Sequence, residues 1–211
     1  MPPKDELHAV VQRVLVVGGP GSGKTTLART LAVALGLPHL DLDRVAYAPP
    51  AERPDAPFWQ WVRVHTDQRR EQAASLAETD GWVADGLYAG WTAPLRDTAD
   101  VILWLDLPAR ITAWRVLKRA IEHRRRGGND WDLRSVRRVA RGALGYRRRA
   151  EATADQLHAR DGANSNRTLE VFLQPAGNRV LRCSSPASVR LAVGEITRHR
   201  SMDLRNASSW P

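Results

Sequence analysis

Apolar and polar positions along the chain fall into short, continuous apolar runs separated by longer amphipathic stretches. Val14-Leu15-Val16-Val17 predicts a strand over Arg13 to Val17 that is covered on both faces. Leu27, Leu31 and Leu35 recur at i, i+4 and i+8, which predicts a helix from about Lys24 to Leu35, ended by Gly36. Leu37 to Asp41 reads as a short second strand, and Pro49, Pro50, Pro54 and Pro57 make 48–57 a loop. Phe58, Trp61, Val62 and His65 share one face of a predicted helix that continues to about Thr79, with the aromatics turned to the core. Trp82 to Asp85 and Val101 to Leu105 are the third and fourth strands. Asp106-Leu107-Pro108 then opens a helix to about Arg126, with Pro108 near its first turn. After the break Gly127-Gly128-Asn129-Asp130 come a helix over Leu133 to Leu157 and a polar turn over Arg160 to Arg167. A short strand at Glu170 to Leu173, a last strand at Arg179 to Arg182 and a helix from Ser188 to about Arg198 complete the pattern. Residues 199–211 show little periodicity and read as a loose tail. Strands alternating with helices give an α/β fold with one parallel sheet covered on both sides.

The segment between the first strand and the first helix changes this picture most. Gly18-Gly19-Pro20-Gly21-Ser22-Gly23-Lys24-Thr25-Thr26 has the spacing G-x-x-x-x-G-K-[ST] between a strand and a helix. Glycines at 18, 21 and 23 admit backbone angles closed to other residues, so successive N–H groups can turn inward on a polyphosphate. Lys24 adds a point charge for the β- and γ-phosphates, and the Thr25 hydroxyl suits a Mg²⁺ ligand. Aspartates Asp41, Asp43 and Asp85 fall at or just beyond strand ends, where open parallel sheets bind ligands.

Composition adds bounds. The 211 residues suit one domain, and no apolar run approaches a membrane span. The stretch Met1 to Gln12 is too polar for a signal peptide, so a cytoplasmic location is expected. Cys183, the single cysteine, excludes an internal disulfide framework and a cysteine-based zinc site. A net charge of +9 invites a nucleic-acid partner, but Lys4, Lys24 and Lys118 are the only lysines. The positive charge is therefore almost all arginine, which suits bidentate phosphate clamping in a small-molecule site equally well. Nucleic acid is possible but not favoured, no membrane partner is expected, and a monomer or homodimer fits.

The chain resembles the adenylate-kinase-like branch of P-loop kinases, and within it the topology modulation proteins. Three segments carry the resemblance: the P-loop; Leu40-Asp41-Leu42-Asp43 followed by Gly81-Trp82-Val83-Ala84-Asp85-Gly86-Leu87-Tyr88; and Asp106-Leu107-Pro108 leading into Trp114-Arg115-Val116-Leu117-Lys118-Arg119. The resemblance implies a three-layer P-loop NTPase fold with a five-stranded parallel sheet in the order 2-3-1-4-5, flanked by helices and a short arginine-rich lid. It implies one domain over 1–198, with an acceptor-binding insert at about 44–79 and a lid at about 120–137. It also implies ATP bound on Gly18 to Thr26, Mg²⁺, and phosphoryl transfer to a small acceptor. By resemblance Asp85 holds Mg²⁺ with Thr25, Asp43 orients or deprotonates the acceptor hydroxyl, and Asp41 assists the metal. Either of the latter two could instead cap the following segment. Arg115 would stack on the base and Arg119 would meet the transferring phosphates, since residues four apart share a helix face. One or two of Arg124, Arg125, Arg126, Arg137, Arg138 and Arg141 would close over the γ-phosphate.

One stretch departs from the family. Adenylate kinases follow the third-strand Asp-Gly with Phe-Pro-Arg and a glutamine that reads AMP, whereas here the stretch is Leu87-Tyr88-Ala89-Gly90-Trp91-Thr92-Ala93-Pro94-Leu95. The donor half of the site is thus supported and the usual acceptor is not. Arg53, Arg63 and Arg96 are candidates to grip another acceptor. The competing classes are an ATP-binding regulatory or nucleic-acid-associated protein and a kinase of a non-nucleotide metabolite.

Overall fold

A computed structural model describes residues 11–125 and 165–207, together with 141, 142, 144–146 and 153. Its elements are β1 (Arg13–Gly18), α1 (Lys24–Leu35), β2 (His39–Asp41), α2 (Asp43–Ala46), β3 (Tyr47–Ala48), β4 (Val62–Arg63), α3 (Thr66–Ala77), β5 (Trp82–Gly86), α4 (Ala93–Thr98), β6 (Val101–Leu105), α5 (Ala109–Arg125), α6 (Asn166–Leu173), β7 (Val180–Cys183) and α7 (Pro186–Ala207). The main sheet runs β2-β5-β1-β6-β7, every neighbouring pair parallel. Counting only its five strands in chain order, this is the expected 2-3-1-4-5.

The continuous apolar character of β1 follows from its central place. Leu15 and Val17 point into one core with Leu42, Trp82, Trp91, Leu95, Ile102 and Leu169, on the side of α3, α4 and α6. Val14 and Val16 point into the other, with Leu31 and Leu35 of α1 and Ile196 of α7. Successive strand side chains face opposite ways, so a strand between two helical layers has no position left for a polar residue. At the end of α1, Gly36 takes the left-handed conformation (φ 57°), and Leu37 N–H donates to Ala32 O, closing the helix as its sequence implies.

Three expectations fail. Phe58 to Thr79 is not one helix: a single 3₁₀ turn at Phe58–Gln60 gives way to β4, which pairs antiparallel with β3, and α3 begins only at Thr66. The alternation Val62-Arg63-Val64-His65 has a strand period with β-branched residues, and Val64 N–H donates to Ala46 O. The aromatics accordingly form a rim rather than core: Phe58 is half exposed, 6.1 Å from Tyr47 and 5.2 Å from Trp61 between ring centres. Glu170 to Leu173 is helical, because the Ser165 side chain caps α6 by accepting from Thr168 N–H and Leu169 and Leu173 share its buried face. The last helix continues to Ala207 instead of stopping near Arg198. Among the described residues, no helix is long and apolar enough to cross a membrane. Of the expected lid at about 120–137, residues 120–125 belong to α5, while 126–137 and most of Leu133 to Leu157 lie outside the described residues.

Candidate functional site

The site is built at the carboxyl ends of β1, β5 and β2. The loop from Gly18 to Gly23 leaves β1, turns through a Ser22 N–H to Gly19 O bond of 3.2 Å, and enters α1 at Lys24. Gly21 (φ 76°) and Gly23 (φ 90°) occupy the left-handed region that favours glycine. The loop packs tightly on what lies behind it. A Cβ at Gly21 would sit 2.5 Å from the Thr112 carbonyl oxygen of α5, and one at Gly19 would sit 2.9 Å from the Tyr146 ring.

A cleft of about 620 Å³ opens in front of the loop. Its walls include Lys24, Thr25 and Thr26 at the start of α1, Arg115 and Arg119 on α5, and Arg190 on α7. Gly21, Ser22 and Gly23 border it as well, whereas Gly18, Gly19 and Pro20 lie behind, toward β6 and Tyr146. The Arg115 guanidinium donates to Ser22 O at 2.7 Å, so it braces the loop backbone as well as facing the cleft. Arg119, one turn further along α5, lines the same cleft, as the i, i+4 spacing implies. Of the candidate lid arginines, Arg125 ends α5 and Arg141 lies in a short helical piece. Arg126, Arg137 and Arg138, and the side chain of Arg124, fall outside the described residues.

Asp85 stands beside the loop. It is buried, and both of its oxygens are engaged: Oδ2 accepts from the Thr25 hydroxyl at 2.6 Å, and Oδ1 lies 2.7 Å from His39 Nε2. Asp41 pairs in register with Asp85 across β2 and β5. Its carboxyl is pushed above its ordinary range, chiefly by burial and further by the charges of Asp43 and Asp85. Asp43 opens α2, and its N–H donates to Asp41 Oδ1 at 3.1 Å. The Tyr88 hydroxyl donates to Asp43 Oδ1 at 2.6 Å. Burial, then Asp43, holds that phenol well above its ordinary titration range. The three aspartates therefore do meet, and the Asp41 side chain both caps α2 and adjoins the acidic cluster.

Two other arginines have structural duties. Arg96 donates to Phe172 O at 2.9 Å, lies over the Phe172 ring and pairs with Asp97, which joins α4 to α6 and takes it away from any acceptor. Arg182 makes two bonds to the buried Asp106, at 3.0 and 2.7 Å, and lies 4.2 Å over the Trp104 ring. Cys183 is buried and its thiol is pushed up by burial, in keeping with a packing role. Sequence reasoning assigned nothing to His39, Tyr146 or the Tyr88 hydroxyl. For His39 a signal existed, because it lies two positions before Asp41 and so shares its face of β2.

The cluster suits Mg²⁺. That ion takes hard oxygen ligands and is bound by one or two carboxylates plus phosphate oxygens and water rather than by an all-protein cage. Asp85 and Thr25 supply such oxygens at the loop, and among the described residues no group of three histidine, cysteine or acidic side chains forms a dedicated metal cage.

No protein-family model matches the chain. Among known proteins it is similar to the cytidylate kinase of Pyrococcus horikoshii, 32% identical over 122 residues that cover 56% of this chain and 59% of that protein. It is also 28% identical to the adenylate kinase of Thermosynechococcus vestitus over 130 residues, covering 51% of this chain and 65% of that protein. The chain thus spans less than two thirds of the length of these relatives. Among solved structures, shikimate kinase from Acinetobacter baumannii in complex with shikimate aligns with a TM-score of 0.45 at 16% identity, covering 95% of this chain and 96% of that one. The chain therefore has its distant relatives among cytidylate and adenylate kinases of the P-loop class.

Proposed function

We propose that this protein is an ATP- and Mg²⁺-dependent phosphotransferase that moves the γ-phosphoryl group of ATP to a hydroxyl of a small-molecule acceptor. The observation that carries the reading is the convergence of Thr25, at the start of α1, and the buried Asp85 directly beside a glycine-rich loop that opens on a cleft lined by Lys24, Arg115 and Arg119. When bound, Mg²⁺ neutralises charge on the β- and γ-phosphate oxygens. Gly21, Ser22 and Gly23, which border the cleft, cradle the phosphates, while Gly18, Gly19 and Pro20 behind them seat the loop against β6 and Tyr146; Lys24 spreads positive charge over the phosphates, and Thr25 and Asp85 would hold the metal, with Thr26 completing the first turn. Arg119 meets the charge that develops on the transferring group, and Arg115 keeps the loop in shape through Ser22 O. The acceptor hydroxyl bonds to phosphorus while the bond to the ADP leaving oxygen breaks, and its proton passes to Asp43.

Asp43 and Tyr88 favour an acceptor other than AMP. The residues after Asp85-Gly86 that would read AMP in adenylate kinases are replaced, and here Tyr88 turns its hydroxyl into Asp43. A carboxylate that already takes one hydroxyl hydrogen bond on Oδ1 is suited to take a second, from an alcohol, on Oδ2. A non-nucleotide alcohol is accordingly the second reading of the acceptor. Transfer of labelled γ-phosphate from ATP to a panel of nucleoside monophosphates and phosphate-free alcohols tests both. Lys24→Ala should lower turnover at least about 100-fold with the fold intact, on the scale of losing one electrostatic stabiliser. Undiminished transfer by that variant overturns the reading. Nucleotide-controlled, steeply salt-dependent binding to DNA or RNA with no transfer to any acceptor would instead support the regulatory class.

A further inference from the structure

We infer that His39 is a positioning residue for the metal site, holding Asp85 in the orientation that presents Thr25 and Oδ2 to a divalent cation. The inference rests on the Mg²⁺-dependent reading above and adds a residue to it. The Asp85 carboxylate is gripped from two sides: His39 Nε2 lies 2.7 Å from Oδ1, and the Thr25 hydroxyl donates to Oδ2 at 2.6 Å. Facing a carboxylate, the Nε2 atom carries the proton, so the imidazole donates. The Asp85 backbone is fixed too, since it pairs with Asp41 and its carbonyl accepts from Leu42 N–H at 3.1 Å.

What the backbone does not fix is rotation of the carboxylate about its last side-chain bond, which is soft and broad in aspartate. His39 supplies that restraint. Because it is anchored in β2, opposite Val83, its ring reaches Asp85 from the adjoining strand rather than from the loop. The Thr25 hydroxyl has only one proton. Giving it to Oδ2 turns the oxygen lone pairs away from Asp85, where they are free for a cation. Removing His39 would let the carboxylate turn, and the Thr25 proton would follow it. Residues that orient a metal's ligands without touching the metal commonly set its affinity by 10–100-fold.

The test separates metal binding from nucleotide binding. A fluorescent ATP analogue is titrated into the intact protein first with EDTA and then with increasing Mg²⁺, for the native chain, His39→Leu and His39→Gln. Thermal unfolding of each protein checks that it is folded. His39→Leu should bind the analogue in EDTA within about twofold of the native protein, yet need about 10–100-fold more Mg²⁺ to reach half of the metal-dependent gain. His39→Gln, whose amide N–H can stand where Nε2 stands, should recover most of that shift. An unchanged Mg²⁺ midpoint in His39→Leu overturns the inference, and so does equal weakening with EDTA and with Mg²⁺, which would mark a packing role. A native protein that binds the analogue with no gain from Mg²⁺ refutes the parent reading of the site instead.

Discussion

Replacing Gly21 and Gly23 by alanine, one at a time, measures how tightly the loop is built onto α5. Both positions have positive φ, at 76° and 90°, so each alanine meets the left-handed penalty of about 1–2 kcal/mol. Their surroundings differ. At Gly23 the added methyl would meet only the Arg115 guanidinium, 3.2 Å away at the far end of a flexible side chain. At Gly21 it would lie 2.5 Å from the Thr112 carbonyl oxygen and 2.8 Å from Val116 Cγ2, both on α5. Neither the helix backbone nor a β-branched side chain can give way freely, so overpacking adds about 1–3 kcal/mol. The expected costs are about 1–2 kcal/mol for Gly23→Ala and about 2–5 kcal/mol for Gly21→Ala. For a chain of this size, each kcal/mol lowers the melting temperature by about 2–4 °C. Thermal unfolding followed by circular dichroism, without nucleotide, reads the difference directly. Gly194→Ala in α7, where nothing lies within 4 Å of the new methyl, serves as the control and should be neutral or stabilising by up to about 1 kcal/mol. If Gly21→Ala melts no lower than Gly23→Ala, the close seating of the loop on α5 is refuted.

Three further outcomes are expected. Asp41 has a raised carboxyl pKa when folded, so at that position the folded state binds protons more readily than the unfolded one, and its contribution to stability falls as pH rises from the ordinary carboxylate value of 3.8 through the folded value. Asp41→Asn, which keeps the bond from Asp43 N–H, should therefore gain stability relative to the native protein at neutral pH and lose that advantage below pH 3.8 in urea titrations. Arg182→Ala leaves the buried Asp106 without two charge-assisted bonds and should cost about 1.5–3 kcal/mol, with little recovery in Arg182→Lys, whose ammonium cannot reproduce the Nε and NH2 pair. Cys183 should react slowly with a thiol reagent in the native protein and rapidly once unfolded, because its thiol is buried and pushed up by that burial.

What could be read from the chain was what is local. Strand β1, the loop and α1 form one contiguous unit in which periodicity, glycine spacing and the Gly36 stop agree, and their bounds match the structure to within a residue. Asp85 and Asp41 were placed correctly because both stand at the ends of apolar runs in a parallel sheet. The His39 contact was harder, since it exists only when β2 and β5 take one particular register across 46 residues of sequence. The β3–β4 pair is harder to read because each strand has only two residues, so the short alternation Val62-Arg63-Val64-His65 is outweighed by the helical spacing of the aromatics around it. The seating of Tyr146 behind Gly19 depends on residues far apart in the chain, and nothing in either segment announces it.

The sheet order also has a consequence for how the chain acquires its shape. Strand β1 precedes the other described elements in the chain, yet its neighbours on either side are β5 and β6, so Val14 waits for Val83 and Val101 before either flank is covered. The edge strand β7 arrives only at Val180, and Asp106 finds Arg182 only then. Non-local parallel pairing of this kind carries its loop-closure cost before any contact repays it, which slows folding and leaves apolar edges uncovered meanwhile. During synthesis the glycine-rich loop therefore leaves the ribosome early but has its supporting sheet completed late, so a ligand that binds only the completed loop is expected to slow unfolding rather than to speed folding.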